Sequence, residues 1–540
     1  MDINWLDILS PLNPPKEEGV PLYAQLRDRL AESIQSGRVP LDAKLPTNRQ
    51  LAGLLKVDRS TVTRALGELA NCGMIESHVG RGTFVRARQS QARSGNSDFA
   101  SKIDWSQRFS RASRITAELL ARQPSLTEDD DLISFSGGSP ASESIPYDQL
   151  KVIVNLLTRD KATNQLFDYS PAEGDALLRE QVKKYLAGQG ISVSNDELLI
   201  LSGSQQGIDL VASSFIDQSD EVIIEQPTYF WALCNFRARQ ARLIPVPMDE
   251  EGMRVDLIEP LLIRHNPKLI YVIPDFQNPT GVCLSLARRE RLIELANFYG
   301  VPVLEDNFAG ELYYERKGLP SLRSLPHSEG VVIQQGTFSK ALCPGLRVGW
   351  LVAPAQAIAR IRMAKRASDL STNSMAQVVL ANYLKNGLYT EHLERVKSTY
   401  RRLRDTMLRS LREHLPDFYT VSEAHQLRES GGLPDQAILS TNPRGGLFVW
   451  VKLPKGLSSR ELLKYAEREG VTFSPGDLFF PNNDGFEFFR LCFIQNDEQT
   501  IEQGVERLGK AIKHFLTRAL SARASNSAGA SFRGSKSVLI

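Results

Sequence analysis

The chain has 540 residues, of which 42% are hydrophobic and 24% charged, and this composition excludes a wholly disordered protein. This length is too great for one ordinary hydrophobic core, so we expect two or three domains. The net charge of +2 excludes a uniformly basic protein that coats nucleic acid, but it is compatible with a local basic module.

Cysteine usage and hydropathy indicate the compartment. The five cysteines are scattered and form no C-x-x-C pair, which predicts a reducing environment and no structural zinc. No apolar run reaches the roughly 18–20 residues that span a bilayer. None of the histidines has neighbours typical of metal ligands. We therefore expect a cytoplasmic protein with no membrane contact and no bound metal ion.

After an N-terminal extension over residues 1–19, the chain carries a basic segment. Residues 20–88 hold eleven Lys and Arg against six Asp and Glu. Leucines at steps of four predict an amphipathic helix over residues 20–36. Thr47 is a favourable N-cap for a second helix, and Val62, Leu66 and Leu69 lie on one face of a third. Residues 74–86 are typical of a hairpin, with Gly82 near its tip.

Two helices joined by a short turn and followed by a hairpin predict a winged helix-turn-helix. Short hydroxyl and guanidinium groups at the start of a helix can contact bases and phosphates in a major groove. Such groups are found at Arg59, Ser60, Thr61, Thr63 and Arg64. Arg81 is placed to reach the minor groove or the backbone. Periodicity alone leaves open a helical hairpin with a solvated basic face.

The rest of the chain predicts a linker, a large domain and a tail. Residues 87–102 lose hydrophobic periodicity and are rich in Ser, Arg and Gln, which predicts a flexible linker. Over residues 103–519, apolar strand-like runs alternate with helical ones, which predicts a mostly parallel sheet in an α/β domain. Denser strand signals over 444–494 predict a smaller α+β lobe, from about residue 390 to 519. Residues 520–540 are predicted to be a disordered tail.

A second set of residues points to chemistry at an amino group, for which pyridoxal phosphate is the usual electron sink. This cofactor needs a lysine for its aldehyde, an acid for its ring nitrogen and a cradle for its phosphate. Lys340 follows Thr337 and Ser339, and the guanidinium of Arg347 suits a phosphate. Asp306 ends an apolar run, which places it at the sheet edge where α/β proteins bind ligands.

Two further segments follow predicted strands. Ser204 and Gln205 open a helix whose N–H groups suit a phosphate. Asn278 follows the strand predicted at residues 269–274 and offers an amide to the ring hydroxyl. Each signal is weak alone, because a lysine after serine is most often on the surface and a Ser-Gly-Ser segment is most often a turn.

Residues 20–86 resemble the GntR-type winged helix-turn-helix from end to end. The resemblance rests on LPTNRQLA at 45–52, DRSTV at 58–62 and GRGTFV at 80–85. It implies that DNA contacts come from Arg49, Arg59, Thr63, Arg64, Arg81 and Gly82. Asp58 stands where the family commonly has serine, and aspartate caps a helix as well as serine does.

Residues 130–515 resemble the fold-type-I aminotransferases. The resemblance implies that Lys340 is the Schiff-base lysine, Asp306 the partner of the pyridinium nitrogen, and Asn278 the contact to the ring hydroxyl. Tyr229 would stack on the ring, and Arg490 would hold a substrate α-carboxylate. The implied phosphate ligands are Ser204, Gln205, Thr337, Ser339, Arg347 and, from the partner subunit, Tyr169.

The resemblance has one departure. Aminotransferases usually carry a tyrosine three residues after the aspartate, and related regulators often carry one two residues after it. Here these positions are Ala309 and Phe308. Since the phenol normally hydrogen-bonds the ring oxygen, its absence argues against efficient transamination more than against cofactor binding. Tyr313 or Tyr314 is a candidate to replace it.

The order of the modules resembles the MocR subgroup of GntR regulators across nearly the whole chain. This implies a pyridoxal-phosphate-dependent transcription regulator that senses an amine or a B6 vitamer at Lys340 and binds operator DNA as a homodimer. One alternative is a working aminotransferase with an autoregulatory DNA-binding domain, which the retained Arg490 favours. Another is a cofactor-independent repressor with a vestigial site.

Overall fold

The computed structural model describes residues 4–9, 21–40, 42–71, 74–78, 82–86, 104–124, 131–159, 164–315, 318–482 and 484–533. The chain divides into two compact units, residues 1–104 and 105–540. The linker predicted over residues 87–102 lies outside the described residues. Within the described ranges, no helix has both the length and the apolar character needed to cross a membrane.

The first unit contains the predicted helices and the predicted hairpin. Its elements are α1 (Trp5–Leu9), α2 (Leu22–Gln35), α3 (Asn48–Leu55), α4 (Arg59–Asn71), β1 (Ile75–His78) and β2 (Gly82–Val85). Strands β1 and β2 are antiparallel. Val62, Leu66 and Leu69 are buried, so the predicted inner face of α4 is confirmed.

Local interactions set the turn between α3 and α4. The Thr47 hydroxyl accepts from the Gln50 backbone N–H and the Gln50 side chain accepts from the Thr47 backbone N–H, which forms a capping box. Lys56 ends α3 in the left-handed conformation with φ of 52°. Asp58 Oδ1 accepts from Ser60 N at 2.7 Å at the start of α4, so aspartate does the work of the usual serine cap.

The first unit also includes part of the predicted N-terminal extension. Helix α1 lies within residues 1–19, yet Leu9 is fully buried in the same apolar cluster as Leu26 and Leu51. Burial of a leucine side chain is worth about 1.5–3 kcal/mol, so α1 stabilises the module.

The second unit is an α/β domain with fourteen described helices. The helices are α5 (Arg111–Leu120), α6 (Tyr147–Arg159), α7 (Asn164–Phe167), α8 (Ala176–Ala187), α9 (Ser204–Phe215), α10 (Phe230–Ala238), α11 (Ile258–Arg264), α12 (Leu286–Tyr299), α13 (Ala355–Asp369), α14 (Ser374–Lys385), α15 (Leu388–His414), α16 (Val421–Glu429), α17 (Ser459–Arg468) and α18 (Glu498–Arg533).

Its strands form a large and a small sheet. The strands are β3 (Ile133–Ser134), β4 (Leu198–Leu201), β5 (Glu221–Gln226), β6 (Arg242–Asp249), β7 (Gly252–Met253), β8 (Leu269–Val272), β9 (Val303–Asn307), β10 (Val332–Thr337), β11 (Gly349–Val352), β12 (Phe418–Thr420), β13 (Ile438–Ser440), β14 (Phe448–Lys452), β15 (Val471–Thr472), β16 (Ser474–Pro475) and β17 (Phe488–Cys492).

The large sheet has the order β4-β11-β10-β9-β8-β5-β6-β7. The neighbours from β10 to β6 are parallel, whereas β11 is antiparallel to β10 and β4. Ile270 and Tyr271 are adjacent on β8 but belong to different buried clusters, because helices cover both faces of the sheet. The predicted mostly parallel sheet is confirmed.

The C-terminal part forms the small lobe. Its sheet has the order β12-β13-β14-β17-β16, with one parallel pair, β12 and β13. Helix α18 continues to Arg533, beyond the boundary at residue 519. The prediction of a disordered tail is therefore wrong for residues 520–533, where frequent alanine favours a helix. Residues 534–540 lie outside the described ranges.

Candidate functional site

Four parallel strands, β5, β8, β9 and β10, end at one edge of the large sheet. Tyr229 follows β5, Asn278 follows β8, Asp306 is the penultimate residue of β9, and Lys340 follows β10. All four line one cavity of about 660 Å³. Ligands bind at this edge of α/β sheets because the strand ends and the following loops converge there.

The structure brings nearly all the predicted cofactor residues to this cavity. Its lining also includes Ser204, Gln205, Thr337, Ser339, Arg347 and Arg490. Tyr169 does not line the cavity of its own chain and is 80% exposed. Its predicted role at a partner's phosphate stays a prediction. The described residues include no group of three or more His, Cys, Asp or Glu side chains placed to hold a metal ion.

Lys340 is partly buried, and its amino group makes a single hydrogen bond among the described residues. Its Nζ donates to the Gly138 carbonyl oxygen at 2.8 Å. Burial lowers the pKa of Lys340, which favours the neutral amine that attacks an aldehyde. The loop itself is fixed from α15, since Tyr400 donates to the Lys340 carbonyl at 3.1 Å and His392 Nε2 lies 2.8 Å from the Ala341 carbonyl.

Asp306 has one satisfied and one free carboxylate oxygen. Tyr271 donates its hydroxyl to Oδ2 at 2.8 Å. Oδ1 is buried and has no hydrogen-bond partner among the described residues. Burial raises the pKa of Asp306, while the side chains of Gln335 and Tyr271 oppose that rise. A buried acceptor without a partner fits a protonated ring nitrogen as donor.

A glycine and an arginine shape the phosphate cradle. Gly203 precedes α9 with φ of 87°, and a Cβ atom there would lie 2.6 Å from Arg347 Nη2. Glycine therefore lets the guanidinium approach the N-terminus of α9, where backbone N–H groups lack helical partners. Thr337 donates to Ser339 Oγ at 2.9 Å beside it. This combination fits a phosphate group.

Arg490 is a buried cation with neutral partners. Its guanidinium donates to Asn278 Oδ1 at 2.8 Å and to the Ser136 carbonyl at 2.6 Å, and it lies 4.1 Å from the centre of the Phe448 ring. Burial lowers the pKa of Arg490 to about 10. Since Arg490 forms no salt bridge with a carboxylate among the described residues, a ligand carboxylate would compensate its charge.

The predicted phenol replacements are absent from the cavity. Phe308 lines the cavity and Ala309 is buried in the core. Tyr314 donates to the Gly446 carbonyl, and the Tyr313 ring lies 3.8 Å from Lys397 Nζ. Neither tyrosine lines the cavity, so the suggestion that one of them replaces the missing phenol is wrong. Both are held by contacts elsewhere in the fold.

Sequence reasoning missed several residues of this site. Tyr271 reads as an ordinary apolar residue of a buried strand, and no local signal marks its hydrogen bond to Asp306. Ser136 and Gly138 accept hydrogen bonds from Arg490 and Lys340. The Gly-Gly pair at 137–138 is a signal that could have drawn attention to this segment.

The predicted DNA-binding residues lie on the helix-turn-helix. Arg49, Arg59, Ser60, Thr63 and Arg64 are exposed, and Thr61 and Gly82 are partly buried. The Arg64 guanidinium lies 3.9 Å from the centre of the Tyr23 ring, and its side chain remains 64% exposed. Arg81 lies outside the described residues.

Contacts within the module orient two of these positions. Asn48 Nδ2 donates to Thr63 Oγ1 at 3.0 Å, which links the start of α3 to α4. Gly82 opens β2 with φ of 109°, and a Cβ atom there would lie 2.8 Å from Lys44 Cε. Glycine therefore allows the close approach of Lys44, a further basic residue at the wing.

The fold and the site define a protein that joins a winged helix-turn-helix to an aminotransferase-like domain. The family model for aminotransferase class I and II matches residues 130–508. The model for bacterial regulatory proteins of the gntR family matches residues 22–85.

Similar proteins include both enzymes and regulators. The 2-aminoadipate transaminase of Thermus thermophilus is 38% identical over 77% of this chain and 98% of its own. The probable rhizopine catabolism regulatory protein MocR of Rhizobium meliloti is 26% identical over 92% of this chain and 94% of its own.

Among solved structures, LysN, the α-aminoadipate aminotransferase of Thermus thermophilus in complex with N-(5'-phosphopyridoxyl)-L-leucine, matches with a TM-score of 0.68 and 36% identity. The match covers 77% of this chain and 100% of LysN. The chain belongs to the class I and II aminotransferase family, carries a GntR-family DNA-binding domain ahead of that domain, and is homologous to MocR and other helix-turn-helix regulators.

DNA binding should depend strongly on salt, because Lys and Arg contacts to phosphates release counterions. We expect Arg64→Ala to relax sequence preference at a cost of about 1–3 kcal/mol if it contacts a base. Arg81→Ala should weaken all sequences more evenly. Shift assays on upstream DNA at several salt concentrations measure both effects.

Arg38→Ala provides the control for these variants, since Arg38 is exposed in the turn after α2. Its affinity should stay near that of the unaltered protein. An affinity that does not change with salt, or an unchanged footprint in the Arg59→Ala/Arg64→Ala double variant, would contradict the assignment of α4 as the recognition helix.

Proposed function

We propose that this protein is a transcription regulator that binds pyridoxal phosphate at Lys340 and senses an amino compound there. One observation carries the proposal: the cavity keeps the lysine, the acid, the phosphate cradle and the buried Arg490, but Phe308 stands where related proteins place a phenol. Binding groups are thus retained while a group that assists turnover is lost.

Each retained residue has a task in this proposal. Bound pyridoxal phosphate would supply an aldehyde and an electron-accepting ring. Lys340 would hold the aldehyde carbon, and Asp306 Oδ1 would accept the ring N–H. Arg347 and the N-terminus of α9 would hold the phosphate. Arg490 would bind the carboxylate of the amino compound, which relieves its uncompensated buried charge.

The proposal requires two conformations of the protein that differ in their affinity for DNA. Ligand binding changes DNA affinity only when these two conformations also differ in their affinity for the amino compound. We further propose a homodimer, because paired winged helices read paired half-sites. The exposed Phe167 and Tyr169, which are 74% and 80% accessible in the single chain, support such an interface.

The test titrates full-length protein loaded with pyridoxal phosphate with α-amino acids, beginning with 2-aminoadipate. We expect a change in the visible spectrum and, over the same concentrations, a change in DNA affinity of about 5–150-fold, the usual range of allosteric coupling. Arg490→Lys should retain the cofactor and DNA binding but respond only at higher ligand concentration. The proposed sensing function would be refuted if amino acids and B6 vitamers change the visible spectrum but none of them changes DNA affinity.

The second candidate is an active aminotransferase whose DNA-binding domain regulates its own gene. It is favoured by the 38% identity to the 2-aminoadipate transaminase of Thermus thermophilus and by the buried Arg490. A steady-state measurement of turnover with an amino acid and a keto-acid acceptor separates this candidate from the sensor.

A further inference from the structure

A second cavity lies between α5 and α10, with a volume of about 420 Å³. Three guanidiniums line it, those of Arg111, Arg122 and Arg237, together with Glu118 and apolar atoms of Ile115 and Leu119. It shares no lining residue with the cofactor cavity. Its volume is within the roughly 300–1,000 Å³ of small-molecule sites.

The ion pairs around this second cavity do not neutralise its arginines. Arg122 contacts Asp477 Oδ2 at 3.2 Å, but Arg460 shares the same oxygen at 2.8 Å. Arg237 donates to the Pro481 carbonyl, and within the described residues neither it nor Arg111 forms a salt bridge. Four guanidiniums therefore meet two carboxylates, those of Glu118 and Asp477, which leaves two positive charges in excess.

Partial burial makes the unpaired charge of Arg237 costly. Burial lowers the pKa of Arg237, and the nearby charge of Arg122 lowers it further. Like charges held together in a partly desolvated pocket are stabilised when an anion enters and accepts hydrogen bonds from both. A planar guanidinium pairs well with a carboxylate because it can donate two parallel hydrogen bonds.

We propose that the cavity between α5 and α10 binds a small organic dianion, such as a dicarboxylate. The excess of two positive charges sets the charge of the ligand, and the apolar surface of Ile115 and Leu119 suits its carbon chain. The site is separate from the cofactor cavity and from the proposed amino-compound site at Arg490.

The position of the cavity would link its occupant to the cofactor site. Helix α10 starts directly after Tyr229, the residue predicted to stack on the cofactor ring. Arg122 directly precedes Gln123, which lines the cofactor cavity. A dianion in this cavity would therefore contact α10, whose first residues Phe230 and Trp231 line the cofactor cavity, and Arg122, the neighbour of Gln123, so it would act as a second input to the regulator.

The test is isothermal titration of full-length protein with succinate at constant ionic strength, in excess pyridoxal phosphate so that the phosphate cradle is filled. We expect one succinate per chain. Arg111→Gln and Arg237→Gln should each weaken binding at least about tenfold, since each removes a charge-assisted hydrogen bond. Arg239→Gln should bind normally, because Arg239 pairs with Asp209 and does not line the cavity.

Several outcomes would overturn the proposal. These are no succinate binding, equal binding by the Arg111→Gln variant, or loss of binding in Arg347→Gln instead, which would place the anion in the cofactor cradle. Binding of inorganic phosphate without succinate would exclude an organic ligand.

Arg111 is exposed, so its variant decides the question even if Arg237→Gln does not fold. If pyridoxal phosphate fails to bind, the titration without it still tests this site alone.

Discussion

Lys340→Ala should abolish the visible absorption band of lysine-bound pyridoxal phosphate while leaving the fold intact. The Lys340 ammonium group makes one described hydrogen bond, to the Gly138 carbonyl, so its removal leaves few contacts unsatisfied. The phosphate cradle of Arg347 and the α9 N-terminus does not depend on this lysine. We therefore expect the variant to bind the cofactor only noncovalently. Absorbance spectra of the purified proteins, with circular dichroism as a check of folding, measure the effect.

Borohydride reduction followed by mass spectrometry locates the adduct in the unaltered protein. We expect the pyridoxyl group on Lys340. The exposed Lys385 offers a matched control, and Lys385→Ala should keep the full visible band. An adduct on another lysine, or a band that persists in Lys340→Ala, would show that the cofactor site is assigned to the wrong residue.

Turnover with an amino acid and a keto-acid acceptor should be at least about a thousandfold below the roughly 10 s⁻¹ typical of enzymes. No phenol is available in the cavity at the positions where related proteins carry one, since these are Phe308 and Ala309. The Tyr271 hydroxyl is bonded to Asp306, and the Tyr229 hydroxyl donates to Gln205 Oε1 at 3.1 Å. Lys340 is left without that assistance in moving a proton.

The variant Phe308→Tyr tests this explanation directly, because Phe308 lines the cavity. Restoring the phenol should raise turnover by about tenfold or more, since a single positioned donor is commonly worth that much. Phe308→Leu should stay slow. Ala309→Tyr is unsuitable because Ala309 is only 1% exposed and a phenol there would overpack the core.

A steady-state assay with a coupled keto-acid readout measures these rates. Conversion at ordinary enzyme rates, with no effect of the amino acid on DNA affinity, would favour the aminotransferase over the regulator. Slow conversion with a clear change in DNA affinity is the result that we expect.

Local patterns determined the elements that the sequence predicts well. The capping box at Thr47 and Gln50 involves residues three apart, and the buried strands are continuous apolar runs. Lys340 is a candidate from the sequence because Thr337 and Ser339, at the end of β10 and just after it, lie within three residues of it. The tail over residues 520–533 was mispredicted, since its composition suits both a coil and a helix.

Tertiary structure alone decided the contacts between distant segments. Arg490 and Asn278 are 212 residues apart in the chain, and Tyr271 and Asp306 are 35 apart on neighbouring strands. The second cavity is likewise lined by residues of α5 and α10, two helices that are more than a hundred residues apart in the chain. Sequence periodicity indicates which face of a helix or strand is buried. It does not indicate which side chains of other elements pack against that face. That choice depends on sheet order and helix packing, which are set by the whole core at once.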